Sequence, residues 1–65
     1  MNEKLKSLRR EKGVTQDEVA KELGITKSCY SNYEQGLREP SYAILVKICK
    51  YFDVSSDYLL GLSDY

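Results

Sequence analysis

Along the 65 residues, apolar side chains recur three and four positions apart. Nowhere do they alternate with the period of two that a half-buried strand requires. The pattern predicts an all-α chain, and its punctuation divides it into five helices. The first runs from Asn2 to Lys12 with Leu5 and Leu8 on its inner face, Gly13 ends it where a positive φ is easily adopted, and Val14 follows as a plug for the core. The second opens on Thr15-Gln16-Asp17-Glu18, a capping box in which the Thr15 hydroxyl accepts from the amide of residue 18 and the Glu18 carboxylate reaches back to the cap amide. Val19, Ala20 and Leu23 form its inner face, and Gly24 stops it. After a third helix, taken up below, Ser41 caps a fourth whose Leu45, Ile48, Cys49 and Phe52 fall at i, i+3, i+4 and i+7. Val54 is expected as a buried connector. Ser55 caps a short fifth helix carrying Leu59 and Leu60, with Gly61 at its end, and Leu62-Ser63-Asp64-Tyr65 is expected to fray or to be held in a contact.

The third helix carries the chemistry. Only Ile25 separates Gly24 from Thr26, a good N-cap residue, so a helix from Thr26 through Glu34 follows the second after a tight glycine turn. Two helices of about eight residues joined this way are expected to cross steeply, in a helix-turn-helix arrangement. On a wheel of about 100° per residue, Cys29, Tyr30 and Tyr33 share one arc, free to pack on the second helix. Lys27, Ser28, Ser31 and Asn32 share the opposite arc: short donors and acceptors with one cation, without the Glu/Lys pairs of an inert solvated face. Ser and Asn are mediocre helix formers, so propensity does not explain the strip. Small polar side chains near a helix N-terminus are what approach to base edges in a DNA major groove requires, although an ordinary polar surface has the same composition.

Composition narrows the alternatives. With no His and two well-separated Cys, neither a His-based triad nor a common zinc set can be assembled, so no metal or other cofactor is expected. No base stands ready to activate a Ser, Cys or Asp nucleophile, and the chain is too small for a pocket-scale core, so an enzyme or a small-molecule receptor is not expected. The N-terminus Met1-Asn2-Glu3-Lys4-Leu5-Lys6 lacks a secretory apolar region, and no apolar run approaches the roughly 20 residues that span a bilayer. Cys29 and Cys49 read as free thiols of a cytoplasmic protein. Ten basic and ten acidic residues leave a net charge of zero, which taken alone argues against a nucleic-acid partner.

Several segments nevertheless resemble one family. Thr15-Gln16-Asp17-Glu18-Val19-Ala20, Leu23-Gly24-Ile25-Thr26, Tyr30-Ser31-Asn32-Tyr33-Glu34-Gln35-Gly36, Arg38-Glu39-Pro40-Ser41 and Asp57-Tyr58-Leu59-Leu60-Gly61 are similar, in order and spacing, to the phage-repressor and Cro-type helix-turn-helix family, also called the xenobiotic-response-element family. The resemblance covers essentially the whole chain as a single domain. It implies a compact five-helix domain of the phage-repressor type and a bacterial or phage-encoded, nucleoid-associated transcriptional regulator. Its partner would be double-stranded operator DNA, bound as a homodimer, with repression as the expected effect. Carried over position by position, the resemblance assigns base contacts to Lys27, Ser28 and Asn32, and phosphate contacts to Gln16, Ser31, Gln35, Arg38 and Tyr42. It also assigns an ion pair between Arg9 and Glu34 that ties the first helix to the end of the third. Tyr30 matches a core position, with its hydroxyl expected at the core's edge. Leu37 departs from the pattern, standing where a polar or basic residue is common.

Two further expectations follow from the residues themselves. Ile44 and Val46 widen the apolar stripe of the fourth helix beyond one core face, and with Tyr51, Tyr58, Leu62 and Tyr65 they are candidates for a dimer patch. The same surplus of aromatic residues, with the neutral total charge, also fits a protein-interaction module such as an antitoxin or anti-regulator. The neutral total, however, conceals segregation: residues 1–12 carry +3 and residues 35–50 carry +2, against −2 over 13–34 and −3 over 51–65. A basic DNA face opposite an acidic side satisfies both the partner and the sum, and predicts a shallow salt dependence with heavy reliance on base contacts. Within 65 residues a separate sensing domain is not expected, so regulation is expected from dimerisation, a partner protein or competition for DNA, unless the chain is a fragment of a longer regulator.

Overall fold

Residues 2–61 are described by the computed structural model, and their architecture follows from where helices are allowed to start and stop. The elements are α1 (Asn2–Lys12), α2 (Gln16–Leu23), α3 (Lys27–Gln35), α4 (Tyr42–Phe52) and α5 (Ser56–Leu60), with no strand among the described residues. Thr15, Thr26, Ser41 and Ser55 each hold an extended conformation and accept, through the side-chain oxygen, from an amide in the first turn of α2, α3, α4 and α5. The capping box at α2 is closed on both sides, Glu18 N–H to Thr15 Oγ1 at 3.1 Å and Thr15 N–H to Glu18 Oε1 at 3.2 Å. Because Thr26 is spent as the cap, α3 begins at Lys27 and runs to Gln35, one residue later at each end than the sequence pattern indicates.

The stops have one mechanism with one exception. Gly24 and Gly36 take left-handed conformations, φ 73° and φ 76°, and their amides return to carbonyls of the preceding turn. At the end of α4 the same role falls to Asp53, φ 56°, a residue type that tolerates the left-handed region better than most. Gly36 is constrained twice, since a Cβ there would meet Asn2 Nδ2 of α1 at 3.2 Å. Gly36→Ala is therefore expected to cost about 1–2 kcal/mol in chemical denaturation, from the left-handed backbone alone before any displacement of Asn2.

α3 packs between α1 and α2, and α4 closes the other side of α1 and α2 while carrying α5. The core consists of Leu5, Val19, Ala20, Leu23, Tyr30, Tyr33, Ile48 and Leu59, with Leu8, Val14, Ile25, Cys29, Leu45, Cys49, Phe52 and Val54 packed around it. Lys47 of α4 reaches the Leu23 carbonyl at 3.5 Å, giving the C-terminus of α2 a cation where the helix dipole favours one.

Part of the candidate dimer patch is engaged within the chain. Ile44 and Tyr51 pack against the core, because α4 touches both α2 and α5 and so needs a broader apolar stripe than a helix with one neighbour. Tyr51 also meets Phe52 edge to face at 4.9 Å and carries the Lys12 ammonium over its ring at 4.8 Å. Tyr58 carries Lys4 over its ring at 4.4 Å. Val46 is half-buried, and Leu62 and Tyr65 lie outside the described residues, as does the rest of the tail from Leu62 to Tyr65. Among the described residues, the large apolar side chains left exposed are Leu37, Tyr42 and Leu60. Cys29 and Cys49 are free, and among the described residues no helix is long and apolar enough to cross a membrane.

Candidate nucleic-acid interface

The polar strip of α3 is presented by a network on the helix's inner edge. Glu34 is almost fully buried, its side chain 2% exposed against 16% for Arg9. Arg9 of α1 donates to Glu34 through Nε to Oε2 at 2.6 Å and through Nη2 to Oε1 at 3.3 Å, a two-pronged pair of the kind a guanidinium fork favours. Nη1 of the same side chain donates to the Val14 carbonyl at 3.2 Å, and Gln16 Nε2, in the first turn of α2, donates to Glu34 Oε1 at 3.1 Å. One carboxylate thus joins α1, the α1–α2 connection and α2 to the last turn of α3.

Burial by itself would raise the Glu34 pKa. The hydrogen bond received from Arg9, the nearby Tyr30 hydroxyl, the hydrogen bond from Gln16 and the Arg9 charge together outweigh it, and the carboxyl is held below its ordinary value. Hydrogen bonding to Glu34 raises the Arg9 pKa in turn. Tyr30 adds a fourth group. It is fully buried, and its hydroxyl lies close enough to Glu34 to feel the carboxylate yet without a formed hydrogen bond. Its ionisation is strongly suppressed, by burial first and by Glu34 second. The hydroxyl is therefore inside the core rather than at its edge.

On the outward face beside it, Lys27 and Ser28 are exposed and Ser31 and Asn32 half-exposed, all four within the first six residues of α3. None of the four makes an ion pair among the described residues. Ser31 is nevertheless engaged: Gln35 Nε2 donates to its Oγ at 2.8 Å, which couples two residues the sequence treats separately. The Asn32 carbonyl accepts from the amides of Leu37, at 2.9 Å, and Arg38, at 3.4 Å. That contact folds the post-α3 loop back onto the helix, with the Arg38 side chain exposed. Gln16 has one amide proton committed to Glu34, leaving its second proton and its carbonyl for another contact. Tyr42, just after the Ser41 cap, is 82% exposed and stands on α4, apart from the strip. The structure thus brings Lys27, Ser28, Ser31, Asn32 and Gln35 onto one helix, with Gln16 at its flank and Arg38 beyond its end.

The α1 side of this region holds residues to which the sequence assigned no role. A polar cleft of about 300 Å3, lined by Asn2, Glu3, Lys6, Ser7, Arg10 and Glu34, lies between α1 and α3. A smaller cleft of about 130 Å3, lined by Asn2, Tyr33, Gly36, Arg38 and Glu39, adjoins it through Asn2. The excess positive charge of residues 1–12 was the available signal, but a linear sum does not say which of five cations points where.

Comparison with known proteins places this geometry. The profile of the helix-turn-helix family matches residues 5–59. The uncharacterized HTH-type transcriptional regulator YqaE of Bacillus subtilis (strain 168) is 49% identical over 59 residues, covering 91% of this chain and 51% of that protein. Among solved structures, the P22 c2 repressor in complex with a synthetic operator superposes with a TM-score of 0.90 at 26% identity, covering 95% of this chain and 94% of that one. The N-terminal DNA-binding domain of SinR from Bacillus subtilis gives a TM-score of 0.82 at 37% identity, with 91% and 87% covered. The chain spans about half the length of the curated relatives it matches.

Proposed function

The chain belongs to the helix-turn-helix family of DNA-binding transcriptional regulators, which are not enzymes, and on that footing we propose that it binds operator DNA sequence-specifically, as a homodimeric repressor, with α3 in the major groove. The observation that carries the reading is the outward polar strip of α3 held in place by the part-buried Arg9–Glu34–Gln16 network. A helix whose inner edge is pinned to two others presents its outer edge at fixed angle and depth, as direct readout demands.

Asn32 is proposed to pair bidentately with adenine N6 and N7, Lys27 to donate to guanine O6 and N7, and Ser28 to serve either base. Gln16, Ser31, Gln35, Arg38 and Tyr42 are proposed to meet phosphates. For Gln16 this uses the proton that Glu34 leaves free, at a helix N-terminus whose amides also favour an anion. Two copies on a near-palindromic site would set their recognition helices about 34 Å apart, one turn of duplex. The genetic setting that goes with this reading is a bacterial or phage chromosome, in the cytoplasm.

Selection from a random duplex library, followed by sedimentation with and without the recovered site, tests the proposal. An enriched two-fold motif and a complex of two chains per duplex are expected; no enriched motif, or no binding even at 50 mM salt, would favour a protein-interaction role instead. On the recovered site Asn32→Ala is expected to cost about 1–3 kcal/mol and to relax the preference at one base pair. Arg38→Ala is expected to weaken all sequences alike and to lower the salt slope by about one.

A further inference from the structure

The ten cations divide by what they touch. Arg9 is paired with Glu34, Lys4 and Lys12 lie over tyrosine rings, and Lys47 caps α2. Lys6, Arg10, Lys21, Lys27, Arg38 and Lys50 make no such contact among the described residues. Lys27 belongs to the polar strip of α3. Of the others, Lys6 and Arg10 stand one helical turn apart on the same flank of α1 and together line the larger cleft, and Arg38 lines the cleft adjoining it.

The place of that flank relative to α3 follows from helical geometry. Glu34, which forms the α3 side of the cleft, lies three residues after Ser31 and seven after Lys27, so the cleft abuts the edge of the strip that those residues form. At its other end, Asn2 rests on Gly36, where α3 gives way to the loop bearing Arg38. The carboxylate of Glu34 is already neutralised by Arg9, and the remaining acid on the rim, Glu3, leaves Lys6 and Arg10 in excess. Polar hydrogen-bonding groups from Asn2 and Ser7 complete a surface suited to a phosphodiester rather than to an apolar ligand.

From this we infer that α1 is part of the DNA interface: Lys6 and Arg10 engage backbone phosphates beside the groove that α3 enters, extending the footprint past the recognition helix and its following loop. The inference rests on the DNA-binding reading above and adds an element to it. It also gives the +3 charge of residues 1–12 a definite use, since two of its cations are stacked on rings, one is spent in the pair with Glu34, and these two are left to face the duplex.

The test measures operator binding of the full chain as a function of salt for wild type, Lys6→Gln/Arg10→Gln, and Lys50→Gln as a control in the cleft between α4 and α5. The double variant is expected to bind the same motif with a log–log salt slope lower by about 1.8 per protomer, at about 0.9 per phosphate lost. Ethylation interference is expected to lose two phosphates per half-site outside those protected by α3. Lys50→Gln is expected to retain the wild-type slope. Wild-type binding with an unchanged slope and unchanged interference in the double variant would overturn the α1 contact alone; wild type that binds no duplex would overturn the DNA-binding reading itself. Because Lys6 and Arg10 are exposed, a wild-type thermal melt of the double variant separates either outcome from misfolding.

Discussion

Arg9→Met is expected to lower the unfolding free energy by about 3 kcal/mol at pH 7, which for a domain of this size approaches the whole of the roughly 3–5 kcal/mol available. Deleting the guanidinium leaves the Glu34 carboxylate almost fully buried, with Gln16 as its remaining hydrogen-bond donor, and it strands the Val14 carbonyl as well. Such a loss exceeds the net worth of the pair, since most of it is the desolvation of the charge left behind. The effect has a pH signature. Glu34 in the wild type is held below its ordinary pKa of 4.5, so its contribution to stability is fully present above that value and fades as pH falls through the lower, folded-state value. Without Arg9 that preference for the ionised form is weakened or reversed, and acidification relieves the stranded charge. The gap between wild type and Arg9→Met, followed by urea denaturation from pH 7 to pH 3, is expected to narrow steadily. A constant gap would mean that Arg9 contributes through the packing of its stem and not through Glu34.

The second large effect is at Tyr30. Tyr30→Ala removes the largest fully buried side chain of the core and is expected to cost about 4 kcal/mol, leaving the domain largely unfolded at 25 °C. Tyr30→Phe is expected to behave very differently, within about 0.5 kcal/mol of wild type, because the hydroxyl it deletes is buried and unpartnered. The pair of variants separates the two ways in which Tyr30 meets its surroundings. A loss above about 1.5 kcal/mol in Tyr30→Phe would show that the hydroxyl donates to Glu34 in solution and belongs to the network. Both variants are measured by denaturation in the absence of DNA, so the outcome bears on the fold alone.

These two residues also show what kind of information each level of description carries. The pairing of Arg9 with Glu34 was legible only through resemblance, because the residues lie 25 apart in the chain and no local rule joins them. That Gln16 buttresses α3 was likewise legible only through resemblance, and the acceptor it uses, the Glu34 carboxylate, shows only once α3 is laid against α2. Tyr30 could be placed on the inner arc of its helix by the wheel, but the depth of its hydroxyl depends on how the other helices pack around α3. The same reason applies to two members of the candidate dimer patch. Ile44 and Tyr51 look surplus when α4 is given one neighbour, and cease to be so once α2 and α5 both pack on it.

What the chain determined by itself is local and periodic. The spacing of three and four separates helix from strand, and Thr15, Thr26, Ser41 and Ser55 mark the starts. Gly24 and Gly36 mark stops because their left-handed conformations are cheap only without a Cβ. Asp53, which ends α4 in the same conformation, carries no comparable mark, because aspartate tolerates that region without requiring it. The polar strip of α3 was visible for the same periodic reason, as an arc on one helix. Which cations are consumed inside the fold and which remain on the surface was decided only by the tertiary structure. The ten basic residues are alike in composition, and their fates diverge through neighbours distant in the chain: a tyrosine ring of α4 or α5, a carboxylate of α3, a carbonyl of α2, or the open cleft beside the recognition helix.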